Sequence, residues 1–171
     1  MLGFFRSRIG MRSCPRSELV TGHPSARLEA FARIARAGSA HPAVQAAARR
    51  CWASTARGRA ERVAELVQAL PYVDDPPGSA DTVRAPCETL EVGGDCDCRT
   101  VLAAALLLVL DVPHRLAWIV QEGHPLDHVL CQVYLALRWE WLDVTVPGAR
   151  VGEHPAAAVA RVGYARRVTG G

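Results

Sequence analysis

The sequence predicts an α+β fold in which N-terminal helices and one buried helix pack on a small antiparallel sheet. Three observations predict it: apolar stripes at helical spacing before Pro71, the apolar block VLAAALLLVL at 101–110, and period-two alternation of β-branched and aromatic residues beyond Pro113.

From Ser25, the run ARLEAFARIARAG places Leu28, Phe31, Ile34 and Ala35 on one helix face, and Gly38 ends it. His41-Pro42 starts a second helix, with Val44, Ala47, Ala48, Cys51 and Trp52 on its apolar face and Gln45, Arg49 and Arg50 opposite. A third follows Gly58, where Val63, Leu66, Val67 and Leu70 form a stripe ended by Pro71. Residues 71–95, PYVDDPPGSADTVRAPCETLEVGGD, are dense in Pro, Gly and Asp and read as one long irregular loop, of a length that is often functional in compact domains. The block at 101–110 is too rich in Ala and Leu for a strand and reads as a helix buried on most sides. HRLAWIV, HVLCQVYLAL and WEWLDVTV then read as three antiparallel strands, and residues 148–171 carry little pattern.

A chain of 171 residues supports one domain with a real core. Residues 1–24 mix Arg, Ser, Pro and Gly without a period and read as a basic flexible or partner-ordered arm, leaving 25–171 as a single domain. No stretch reaches the roughly 18 apolar residues of a membrane span, and arginines interrupt the apolar N-terminus where a secretory signal would be continuous. The expectation is a soluble, cytoplasmic protein. Six irregularly spaced cysteines, at 14, 51, 87, 96, 98 and 131, argue against a disulfide framework and predict mostly reduced thiols.

The net charge of +3 hides an asymmetry: residues 1–60 hold eleven Arg against Glu18 and Glu29, whereas residues 61–171 hold nine Arg against fifteen acids. A basic first third can meet an acidic partner, nucleic acid or the chain's own acidic part, and solvated helix faces are the plainer account. The alternative to solvated faces is an acidic protein partner for the arm, ahead of nucleic acid, and no membrane partner is expected. The chain has neither Lys nor Asn.

Chemistry concentrates at Gly93-Gly94-Asp95-Cys96-Asp97, which opens the buried helix. Unpaired amides and the positive end of the dipole at a helix N-terminus favour an anion, so a thiolate is the species this position stabilises, with Asp95 as N-cap. An isolated cysteine is more often a small buried apolar residue, but Cys96 has company. His128 opens the second strand, and Asp143 follows fifteen residues later across a hairpin. With no Asn in the chain, an Asp must orient the imidazole if a triad exists.

The ordered motifs GDCD, an apolar helix, Asp111-Val112-Pro113-His114-Arg115, a strand with HV, and Arg138-Trp139-Glu140-Trp141-Leu142-Asp143 resemble the transglutaminase-like superfamily, a papain-type thiol fold, in its short bacterial and phage form. The lead-in with an aromatic, an acidic turn and PCETL is similar too, so the resemblance covers about residues 60–147. It implies Cys96 as nucleophile, His128 as general base and acid, and Asp143 as the group that fixes the imidazole tautomer. Three departures stand out. Cys98 replaces an expected second Asp, Asp111 replaces the usual Gly before the Pro turn, and Ala136-Leu137-Arg138 lacks the usual hairpin Gly. Cys98 could rest in the core, resolve an oxidised Cys96, or join it with His124 or His128 on zinc; C-x-C is not the common ligand spacing, so neither metal nor cofactor is expected. Trp118, Trp139 and Trp141 read as core before groove wall.

The resemblance implies a cysteine hydrolase, a peptidase, amidase or deamidase that works through a thioester on a protein or peptide substrate. The alternatives are a protein-crosslinking acyltransferase and a non-catalytic binding or structural module of a phage particle or assembly.

Overall fold

A computed structural model describes residues 14, 17–75, 82–121, 128–153 and 159–164. The three expected helices are α1 (Pro24–Ser39), α2 (Pro42–Arg50) and α3 (Ala56–Gln68), each started where local chemistry satisfies the first amides. His23 and His41 cap α1 and α2 through ring nitrogens ahead of a proline, and Thr55 caps α3 by accepting from Gly58 N–H. Of their predicted stripes, Leu28, Phe31, Ile34, Val44, Val63 and Val67 are buried, and Leu66 and Leu70 are partly buried against the core. Trp52 differs from expectation. Helix α2 stops at Arg50, so Trp52 leaves the apolar face and is 58% exposed, with the Arg59 guanidinium over its ring at 4.5 Å.

The arm and the long loop both carry structure that composition concealed. Glu18–Leu19 forms strand β1, paired antiparallel with β2 (Thr82–Val83), and Val20 beside it is buried. Cys14 is joined to Cys87 by a disulfide, while Cys51, Cys96, Cys98 and Cys131 are free. The expectation of reduced thiols thus fails for one pair, whose members are 73 residues apart and meet only because the arm folds back. Residues 1–13 and 15–16 of the arm lie outside the described residues. Within the supposed irregular loop, Pro86–Val92 is helix α4, with Pro86 at its start, Glu88 in its first turn, and Cys87 and Thr89 buried. Residues 76–81 of that loop also lie outside the described residues.

The apolar block is α5 (Cys96–Val109), and it is the centre of the molecule. Every residue from Cys98 to Leu107 is buried, because α1 to α4 pack around it on one side and strands β3 and β4 on the other. The three expected strands are β3 (His114–Gln121), β4 (His128–Leu135) and β5 (Arg138–Leu142), joined by β6 (Val159–Tyr164) from the weakly patterned tail. The sheet is antiparallel in the order β5-β4-β3-β6. The fold class is α+β, with the buried helix packed on a small antiparallel sheet.

Two of the three sequence departures acquire a physical meaning. Asp111 has φ 52°, and the two-residue β4–β5 turn has Ala136 at φ 48° and Leu137 at φ 67°. These are left-handed positions where glycine is unstrained and other residues are not.

Candidate active site

The site begins at the N-terminus of α5. Asp95 is its N-cap, with Oδ1 accepting from Cys98 N–H at 3.0 Å, so Cys96 is the first helical residue. The loop leading in is held tightly to the segment before it. Gly94 N–H donates to Pro71 O at 3.2 Å, and Val73 N–H donates to Gly94 O at 3.3 Å. A side chain at Gly93, whose φ is +83°, would collide with the Pro71 carbonyl, and one at Gly94 would collide with Cys98.

His128 and Asp143 are brought together by sheet register. Cys131 pairs with Leu142, which leaves Asp143 just past the end of β5 and on the same sheet face as His128. His128 Nε2 lies 3.1 Å from Asp143 Oδ2. Thr145 completes the arrangement: its N–H and O–H both donate to Asp143 Oδ1, at 2.9 and 2.6 Å, and its hydroxyl oxygen lies 3.3 Å from His128 Nε2. Burial alone would raise the Asp143 carboxyl, but the bonds from His128 and Thr145 outweigh it and hold the group down at about 2. Asp143 is therefore a carboxylate at neutral pH. A carboxylate at Nε2 selects the tautomer with the proton there and leaves the Nδ1 lone pair free to take another.

Helix α5 approaches this pair along β4. Thr100, one turn beyond Cys96 on the same side of the helix, donates its hydroxyl to Val129 O at 2.9 Å, next to His128 in the chain. The Cys96 thiol makes no hydrogen bond with His128; it is directed at Asp97 Oδ1, 3.5 Å away. Asp97 is in turn paired with Arg27 of α1 at 2.8 Å. The lowered thiol pKa expected from helix position is corrected here. Burial, then the charges of Asp97 and Asp95, push the Cys96 thiol well above its ordinary value.

Cys98 is buried in the core. Its sulfur accepts from Arg84 N–H at 3.3 Å and faces Thr82 O at 3.7 Å, and burial followed by the charge of Asp95 pushes its thiol up to about 12. Among the described residues no group of three or more His, Cys, Asp or Glu is arranged to hold a metal ion. His124, weighed as a ligand, lies outside the described residues. No helix among them is long and apolar enough to cross a membrane.

A scan against protein-family models finds no match, and neither does a search of curated proteins. Solved structures do resemble the chain. Calcium-bound LapG of Legionella pneumophila aligns with a TM-score of 0.50 and 16% identity over 83% of this chain and 77% of LapG. The fold is transglutaminase-like, of the papain type. A candidate cysteine protease from Cytophaga hutchinsonii gives a TM-score of 0.42 and 14% identity over 84% of this chain, which spans about half (52%) of that protein's length. At these identities the likeness concerns the fold.

Within this transglutaminase-like fold, three groups at the site were not singled out from sequence. Thr145 was readable in principle, because an Asp two residues before a Thr is a common local hydrogen-bonding pattern. Arg27 was not, since its partner lies 70 residues away. Tyr72 entered only as part of the lead-in, yet it pairs with Gly94 as a parallel bridge two residues before Cys96.

Proposed function

We propose that this protein is a cysteine hydrolase that cleaves amide bonds through a thioester on Cys96, with His128 as general base and acid and Asp143 as its orienting carboxylate. The observation that carries the reading is the His128–Asp143–Thr145 cluster beside the helix that opens with Cys96. The thiol proton passes to His128 Nδ1 as the sulfur bonds to the carbonyl carbon. His128 then gives that proton to the departing nitrogen as the C–N bond breaks. Water attacks the thioester with His128 taking its proton, and the Cys96 sulfur leaves as the acid is released.

Hydrolysis is favoured over amine transfer because excluding water from a thioester needs a covered groove. A chain without Lys also cannot be its own lysine donor. One observation favours the rival reading of a non-catalytic binding module: the thiol faces Asp97 and not His128.

Limiting iodoacetamide near pH 6 followed by peptide mapping separates the two. Cys51, Cys98 and Cys131 are buried, so Cys96 labels first on either reading; in a hydrolase its labelling rate falls in His128→Ala, whereas in a binding module the rate is the same with and without His128. Incubation with a glutamine peptide, with and without a primary amine, then distinguishes hydrolase from transferase. Amine incorporation that outruns deamidation and cleavage refutes the hydrolase.

A further inference from the structure

We propose that the hydroxyl of Tyr72 is the second donor of the oxyanion hole, working beside the backbone N–H of Cys96. The inference rests on the cysteine-hydrolase reading above and deepens it. A thiolate attack turns a carbonyl oxygen into an oxyanion, and the first helical amide of α5 is the donor nearest the sulfur. One amide alone is an incomplete hole, and the second donor must come from whatever stands against that amide.

What stands there is Tyr72. Its backbone pairs with Gly94, two residues before Cys96, and its phenol lies close enough to the start of α5 for the Cys96 backbone and thiol and the Asp95 carboxylate to act on it. The residue is placed by its backbone pairing and by Arg99. Tyr72 bridges Gly94 in a short parallel pairing flanked by the Gly94–Pro71 and Val73–Gly94 hydrogen bonds. The guanidinium of Arg99, on α5 itself, lies over its ring at 4.9 Å. The same Arg99 donates to Gly94 O and Leu70 O, tying the loop, the lead-in strand and the helix into one unit. The absence of a side chain at Gly93 lets this segment approach, since a Cβ there would collide with the Pro71 carbonyl.

The residue is also half exposed, so a substrate carbonyl can reach its hydroxyl. Burial, then the charges of Cys96, Asp95 and Asp74, push the phenol up to about 12, so it stays a protonated donor wherever the reaction runs. When the carbonyl oxygen arrives, the Cys96 amide donates to it from one side and the Tyr72 O–H from the other. As the S–C bond forms, the carbonyl π pair becomes the oxyanion held by both donors. As the C–N bond breaks, the pair returns to C=O, and the phenol keeps its proton throughout.

Two reactions at the same sulfur test this. Alkylation by iodoacetamide displaces iodide and passes through no oxyanion; acylation by p-nitrophenyl acetate does. Both rates are measured for wild type, Tyr72→Phe and His128→Ala, with Cys96→Ala giving the background from other thiols. Phe keeps the ring on Arg99, and a melting curve checks the fold. The expected result is alkylation of Tyr72→Phe within about threefold of wild type and acylation lower by about 10²-fold, the usual cost of one such donor. Acylation within threefold of wild type overturns the proposal, and so does a parallel fall in both rates, which marks a structural role. A parallel rise overturns it too, because Tyr72 then blocks the sulfur. If wild-type Cys96 reacts no faster than background in either reaction and is indifferent to His128, the hydrolase reading itself fails and this proposal with it.

Discussion

His114 should make this protein lose stability as pH falls from neutral toward 4. The residue is fully buried at the start of β3, with Nδ1 donating to Val112 O at 2.9 Å and Nε2 without any hydrogen-bond partner. Protonation would create a buried charge and a second N–H with no acceptor. Burial, against the bond to Val112 and reinforced by the nearby positive charge of Arg36, accordingly lowers its pKa from 6.5 to about 4. The folded value lies below the unfolded one, so between about 4 and 6.5 the unfolded chain binds more protons. Stability is therefore full above 6.5, falls through the window, and stops falling below 4. Integrating the linkage relation from pH 7 to 4.5 gives a loss of about 2.5 kcal/mol from this one side chain. That is a large part of the roughly 5–15 kcal/mol of a typical domain. Urea titrations followed by tryptophan fluorescence at half-unit pH steps would measure it, with His114→Leu as the comparison. The variant has a lower baseline, but its pH curve should be flatter than that of wild type by the amount stated. Parallel curves for the two proteins would refute the reasoning.

Three further outcomes are expected. Cys87→Ser, or reduction of the wild type, should destabilise the fold by about 4 kcal/mol if chain entropy dominates the closure of a loop this long, and the melting temperatures of oxidised and reduced protein report it. Replacing Ala136-Leu137 with Asn-Gly should raise stability by about 1–2 kcal/mol, because both positions have positive φ and Leu137 is 88% exposed, so urea midpoints should rise with an unchanged slope. Asp143→Asn should lower Cys96-dependent turnover by about 10²- to 10⁴-fold, because an amide facing Nε2 admits the wrong imidazole tautomer; near-wild-type turnover in a folded variant would remove Asp143 from the mechanism.

The parts of the fold that were legible in sequence are those whose signal is periodic and long. The stripes of α1 and α3, the apolar α5 and the alternation in β3 to β5 each repeat several times. Helix α4 is short and announced only by Pro86 and Glu88, in a segment whose prolines and glycines argue for a loop, so tertiary burial of Cys87 and Thr89 decided it. Strands β1 and β2 are two residues each and exist through their mutual pairing. The Cys14–Cys87 bond and the Arg27–Asp97 pair depend on separations of 73 and 70 residues, which no local pattern encodes. His128 and Asp143 were legible as residues because a hairpin brings neighbouring strands together, whereas the third partner, Thr145, became meaningful only once both of its donors were seen on one carboxylate oxygen.

The electrostatics of Cys96 show where local reasoning stops. A helix N-terminus stabilises a nearby anion by about 0.3–1 kcal/mol at an exposed site and up to about 2 kcal/mol in favourable, partly buried ones. That term favours the thiolate, but burial and two carboxylates at the same helix end oppose it and win. Asp95 is committed to capping and Asp97 is held by Arg27, so neither can simply turn away from the sulfur. The helix position therefore cannot ionise Cys96 unaided, and the only cationic partner the proposed mechanism offers is the imidazolium formed on His128. It follows that the thiol proton must travel to His128 as the sulfur attacks and not before. On this account His128 is needed for the nucleophile to exist at all, and the buried carboxylate of Asp143 matters because it stabilises the imidazolium at the moment it forms.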